Sequence, residues 1–153
     1  MGLEITGFSK TRLLAAEEVT DFALYPLKET WENDRFALVP VPAGTPQAQG
    51  LVSGRYACEN AWQILIGPYV RLERLQQELR ECADFTDDVP DFAELYTAGR
   101  NTVFSTTVCA KLKRDFRKYS LYFFKKRNRF YDLYCEFGEC FVFGADDGLV
   151  VFH

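Results

Sequence analysis

Between Ser105 and Phe143 apolar side chains return every three or four residues, and that periodicity restricts the second half of the chain to helices. Val108, Leu112, Phe116, Tyr119 and Phe123 form one stripe, with Ser105, Thr106 or Thr107 placed to cap its N-terminus. Phe130, Tyr134, Phe137 and Phe141 form a second, predicting a helix from about Asn128 to Phe143. Gly144 is placed to end it, Asp147-Gly148 to turn, and Leu149 to Phe152 to form a closing strand.

The first half reads differently. Leu3 to Phe8 alternates as a strand, with Leu3 and Ile5 on one face and Glu4, Thr6 and Phe8 on the other. A short helix is expected from Arg12 to about Val19, and a strand or strand edge over Phe36 to Val41. Residues 40–50 carry three prolines and two glycines, the composition of a surface connector, a lid or partner-binding loop being the alternative. Leu51–Tyr56 and Ala61–Ile66 read as two strands separated by Ala57–Asn60. After Gly67-Pro68, Tyr69, Leu72, Leu75 and Leu79 mark a helix. Asp84, Asp87, Asp88 and Asp91 surround Pro90 ahead of a short helix, Phe92 to Tyr96, where acids favour the N-terminus. Strands first, helices later and a last strand predict a single α+β domain over residues 1–153. Its small, mostly antiparallel sheet includes both terminal strands and packs with about four helices.

The helical half also carries most of the charge asymmetry. Residues 111–129 hold nine of the 18 Lys and Arg residues against one acid, Asp115. That stretch is +8, so a protein of net charge −4 carries −12 elsewhere and is a charge dipole. On a helical wheel the cations oppose the apolar stripe, as on any amphipathic helix with a solvated basic face. The shortage of acids predicts that i,i+4 pairs do not form within this helix, leaving cations available to a partner. Lys125, Lys126 and Arg127 stand apart because they meet Phe124 and Phe130 near an expected interhelical bend.

Few reaction chemistries fit. The single histidine is His153, the last residue, where a strand end is expected to fray, so triad mechanisms lack a held imidazole. No phosphate-cradling glycine motif, nucleophile elbow, HExxH or CxxC occurs. Five cysteines, odd in number and without pair spacing, suggest neither a disulfide framework nor zinc, and fit a reducing cytoplasm. No metal, cofactor or membrane span is expected, and no signal region is legible. A carboxylate pair drawn from Asp87, Asp88, Asp146 and Asp147, or involving Glu94 or Glu136, is the remaining route to hydrolase-like catalysis.

The two ends resemble a known set of proteins. Gly2-Leu3-Glu4-Ile5-Thr6-Gly7-Phe8-Ser9-Lys10 is similar to the opening MGLDITAYSK of an uncharacterised bacterial and phage family. Residues 145–153 resemble that family's ending, AADGGAVDFH. Gly67-Pro68-Tyr69 with Leu72 and Leu79, and Lys111-Leu112-Lys113-Arg114-Asp115-Phe116, are similar to two of its central segments, G-S-Y and K-L-A-x-D-F. Val70, Leu72, Glu73 and Gln76 replace the family's polar groups, and Gly99-Arg100-Asn101-Thr102 does not match its D-N-E-G segment. The resemblance implies a shared scaffold and a bacterial or phage origin, and it implies no activity.

The expected function is therefore a non-enzymatic, cytoplasmic protein that engages and inhibits or neutralises an acidic protein partner, in the manner of immunity or anti-defence proteins. Its candidate contact residues are Lys113, Arg114, Arg117, Lys118, Lys125, Lys126 and Arg127. Nucleic acid or nucleotide binding through the same stretch is the alternative, although an overall pI of about 5.1 is unlike most dedicated nucleic-acid binders.

Overall fold

The computed structural model describes residues 2–18, 39–41, 45–52, 54–83, 90–126 and 130–153. Five strands, β1 (Leu3–Leu13), β2 (Val39–Val41), β3 (Gly54–Gly67), β4 (Val103–Phe104) and β5 (Leu149–Phe152), form one antiparallel sheet in the order β2-β3-β1-β5-β4. Among the described residues four helices join them: α1 (Tyr69–Cys82), the short α2 (Ala93–Tyr96), α3 (Thr106–Lys126) and α4 (Tyr131–Gly144). The fold is α+β, and the two long apolar stripes of the second half are helices as the periodicity predicts.

The N-terminal and C-terminal strands are neighbours in the sheet. Ile5 lies opposite Phe152 and Phe8 opposite Leu149, and His153 exchanges backbone hydrogen bonds with Glu4. His153 is half-buried, with its Nε2 3.1 Å from Thr6 Oγ1, so this strand end is anchored rather than frayed.

All four β5 residues are buried because both faces of the sheet are covered. Val150 and Phe152 join Leu3, Ile5, Ile66 and Phe104 in the main core beneath the helices. Leu149 and Val151 join Phe8, Tyr56, Cys58 and Val103 in a smaller core on the other face. Seven of the 14 Phe residues lie fully buried here: Phe8, Phe92, Phe104, Phe123, Phe137, Phe141 and Phe152. At about 1.5–3 kcal/mol each, their burial is a principal source of stability.

Two expectations fail in the first half. Arg12 and Leu13 lie in β1, opposite Ala57 and Tyr56, and only Ala16–Glu18 makes a 3-10 turn. Ladder pairing with β3 outweighs the local helix propensity of this segment. Ala57–Asn60 does not interrupt the strand either, and β3 runs unbroken from Gly54 to Gly67. The distortion falls on β1 instead: Lys10 has φ 51° and donates its N–H to the Asp146 carbonyl, while pairing continues at Ser9–Asn60 and Thr11–Cys58. Part of the expected strand over Phe36–Val41 is β2, and positions 36–38 lie outside the described residues.

Candidate functional site

The helix carrying the basic stretch is well defined. Ser105 Oγ accepts the Val108 N–H at 3.4 Å, the N-cap geometry anticipated there. Val108, Leu112, Phe116 and Phe123 are buried and Tyr119 half-buried, so the stripe faces the core. Against it stands α4, with Gly138 leaving room for the Phe116 ring and Phe123 stacked on Tyr134.

The cations at the margins of that stripe turn inward. Lys111 Nζ donates to the Pro90 carbonyl at 2.7 Å and to Glu94 Oε2 at 2.8 Å, and it lies 3.0 Å from Asp115 Oδ2. Its three donors thus meet three acceptors. Lys118 Nζ donates to Asp91 Oδ2 at 2.7 Å, and the Tyr119 hydroxyl donates to the same oxygen at 2.6 Å. Lys118 therefore leaves the group of free partner-binding cations, and an i,i+4 pair, Lys111–Asp115, does form. Both corrections have one cause. At about 100° per residue Lys111, Asp115 and Lys118 sit on the flank of α3 between core and solvent, where the segment leading into α2 covers them.

This network also holds a strained turn. Phe92 has φ 60°, uncommon outside glycine, and its N–H donates to Asp115 Oδ2 at 3.0 Å. Its ring is fully buried, edge-on to Phe116 at 5.1 Å between centroids. The two carboxylates titrate in opposite directions. Burial raises the Asp115 pKa despite the Phe92 N–H and Lys111. For Asp91 burial is outweighed by hydrogen bonds from Lys118 and Tyr119 and by the lysine charges, and its pKa falls below the usual carboxylate value. Asp91 thus serves α3 rather than capping α2, whose N-cap residue, Phe92, makes no side-chain cap hydrogen bond of its own. Asp84, Asp87 and Asp88 lie outside the described residues.

A cleft of about 440 Å³ opens over these groups, lined in part by Gln49, Glu94, Thr107, Lys111 and Arg114. A second hollow of about 620 Å³ adjoins it and shares Gln49 and Glu94. Gln47 fixes the outer wall: its Nε2 donates to the Glu94 carbonyl and Thr97 Oγ1, and its carbonyl accepts the Ser105 N–H. Asp91, Glu94 and Asp115 converge here, while Asp146 and Asp147 sit exposed at the α4–β5 turn. Each converging carboxylate is held by a lysine, which makes the cluster a structural clamp. Sequence spacing gives no signal for it, because Lys111 and Glu94 meet only through the fold. Among the described residues no group of His, Cys, Asp and Glu is arranged to hold a metal ion, and no helix is long and apolar enough to cross a membrane.

The outer face of α3 is the second candidate surface. Arg114, Arg117 and Lys125 are exposed and Lys113 half-buried, and none makes an ion pair with a described residue. Between them Leu121 is 60% and Phe124 50% exposed, Phe124 lying edge-on to Tyr131. Reading the stretch by its charges passes over Leu121, whose exposure is the unusual feature of this face. The side chain of Lys126 and the whole of Arg127 lie outside the described residues.

No protein-family model matches the sequence, and no curated protein or solved structure matches it.

Proposed function

We propose that this chain is a non-enzymatic binding protein that engages and blocks an acidic protein partner through the outer face of α3. The observation that carries the reading is the grouping of Arg114, Arg117 and Lys125, exposed and without described ion-pair partners, around exposed Leu121 and Phe124. Phosphate would satisfy the cations and leave the apolar pair against a charged backbone, whereas a protein surface satisfies both. The carboxylates of the cleft, Asp91, Glu94 and Asp115, are each paired with a lysine, and Asp146 and Asp147 stand exposed apart from them at the α4–β5 turn, which favours binding over the hydrolase alternative. In the bacterial or phage setting that the terminal resemblance implies, such blocking would be an immunity or anti-defence role in the cytoplasm.

Co-purification from native bacterial lysate tests this reading, with wild type compared against Arg114→Glu/Arg117→Glu. A stoichiometric acidic protein retained by wild type and lost by the variant is the expected result. Retention of nucleic acid in its place, or equal retention by both proteins, would overturn it.

A further inference from the structure

The α3–α4 hairpin carries the complement of its own basic face. On α4, Asp132, Glu136, Glu139 and Val142 are exposed at spacings of four, three and three, and the helix contains no Lys or Arg. None of the three acids makes an ion pair with a described residue. On α3 the corresponding stripe is Arg114, Arg117, Leu121 and Lys125, at spacings of three, four and four. With a rise of about 1.5 Å per residue both stripes are about 15 Å long.

We propose that the outer face of the hairpin is a two-fold interface between copies of this chain, with α3 of each copy lying antiparallel against α4 of the other. Charge selects that arrangement. A two-fold axis parallel to the helices sets each basic stripe on an acidic one, and it does so twice, because the contact is isologous. Lys125 of one copy then lies at the level of Asp132 of the second, Leu121 at that of Glu136 and Arg117 at that of Glu139, while Arg114, about one turn further along, reaches Glu139 from the level of Val142. The perpendicular axis sets α3 on α3 and α4 on α4, bringing like charges together. Leu121, Phe124 and Val142, exposed in the single copy, lose solvent in the assembled pair. Both helices satisfy their backbone hydrogen bonds internally, so the contact is made by side chains, as between helices of a bundle.

The inference rests on the proposed function only in placing self-association on the surface assigned to the acidic partner, which then competes with the second copy. Charge exchange tests it. Sedimentation equilibrium of wild type at low salt is expected to give twice the monomer mass, shifting towards monomer as salt rises. Arg114→Glu/Arg117→Glu makes both stripes acidic and Glu136→Lys/Glu139→Lys makes both basic, so each variant alone is expected to be monomeric. Mixed in equal amounts they restore the dimer, with affinity at least about tenfold above either variant alone. All these positions are exposed, and unchanged circular dichroism confirms that each variant folds. A monomeric wild type, or a mixture that stays monomeric while the wild type dimerises, would overturn the proposal. If the wild type is monomeric yet Arg114→Glu/Arg117→Glu still loses the acidic lysate partner, the proposed function stands and this inference alone fails.

Discussion

Lys118 donates a 2.7 Å hydrogen bond to Asp91, which ties the solvent flank of α3 to the segment entering α2. The Tyr119 hydroxyl reaches the same carboxylate, so one acid secures two consecutive residues of the helix. A cation that the helical wheel assigns to a partner is thereby part of the scaffold.

Removing either member of this pair should cost more than losing a surface ion pair does. Asp91 is buried, and hydrogen bonds to charged groups contribute about 1.5–3 kcal/mol. Asp91→Ala is expected to destabilise by about 2 kcal/mol in urea unfolding, and Lys118→Met to lower the urea midpoint in the same direction. The double variant should lose less than the sum of the two, and strict additivity would show that the pair is uncoupled.

The two carboxylates predict opposite pH responses. Asp91 titrates below its unfolded value, so its stabilisation is present above about pH 4 and lost as pH falls through the folded pKa. Asp115 titrates above its unfolded value, so its contribution is fully present below about pH 4 and lost as pH rises through the folded pKa. As pH drops from about 7 to about 3.5, the stability difference between wild type and Asp91→Asn should shrink. That between wild type and Asp115→Asn should move in the wild type's favour. Urea midpoints across this range provide the check.

Among the described residues Lys111 is the single cation ion-paired with both Glu94 and Asp115. Lys111→Met leaves two largely buried carboxylates without it and is expected to cost about 3 kcal/mol. Adding Asp115→Asn should recover part of that loss by removing one of the uncompensated charges. A second substitution that worsens stability at neutral pH would contradict this account.

Gly148 sits where β5 begins beside β1, and a Cβ there would fall 1.8 Å from the Phe8 carbonyl oxygen. Backbone cannot yield as a side-chain tip can, so Gly148→Ala is expected to cost about 3 kcal/mol or more. Thermal unfolding measures it, and a melting temperature near that of the wild type would mean that the β1–β5 edge is far more pliable than its register suggests.

Local pattern alone determined the α3 and α4 stripes, the Asp147-Gly148 turn and the closing strand, because each depends on neighbours within about four residues, and it narrowed the α3 cap to Ser105, Thr106 or Thr107, of which the structure uses Ser105. The same pattern misread Arg12–Leu13 as helix and divided β3, because strand pairing is decided by a partner some fifty residues distant. For the candidate surfaces the sequence supplied the cations and their helix but not their roles. Whether a lysine on α3 is free depends on what packs beside its flank, and that is a property of the backbone's return path. Asp91, 27 residues before Lys118, becomes its partner only once α2 is docked against α3. Arg117 and Lys125 lie away from that contact and Arg114 at the rim of the cleft beside it, and all three stay exposed, with Leu121 and Phe124 between them. Sequence decides which groups a helix presents, since periodicity is local; only tertiary packing, by covering one flank and baring another, decides which of those groups water can reach.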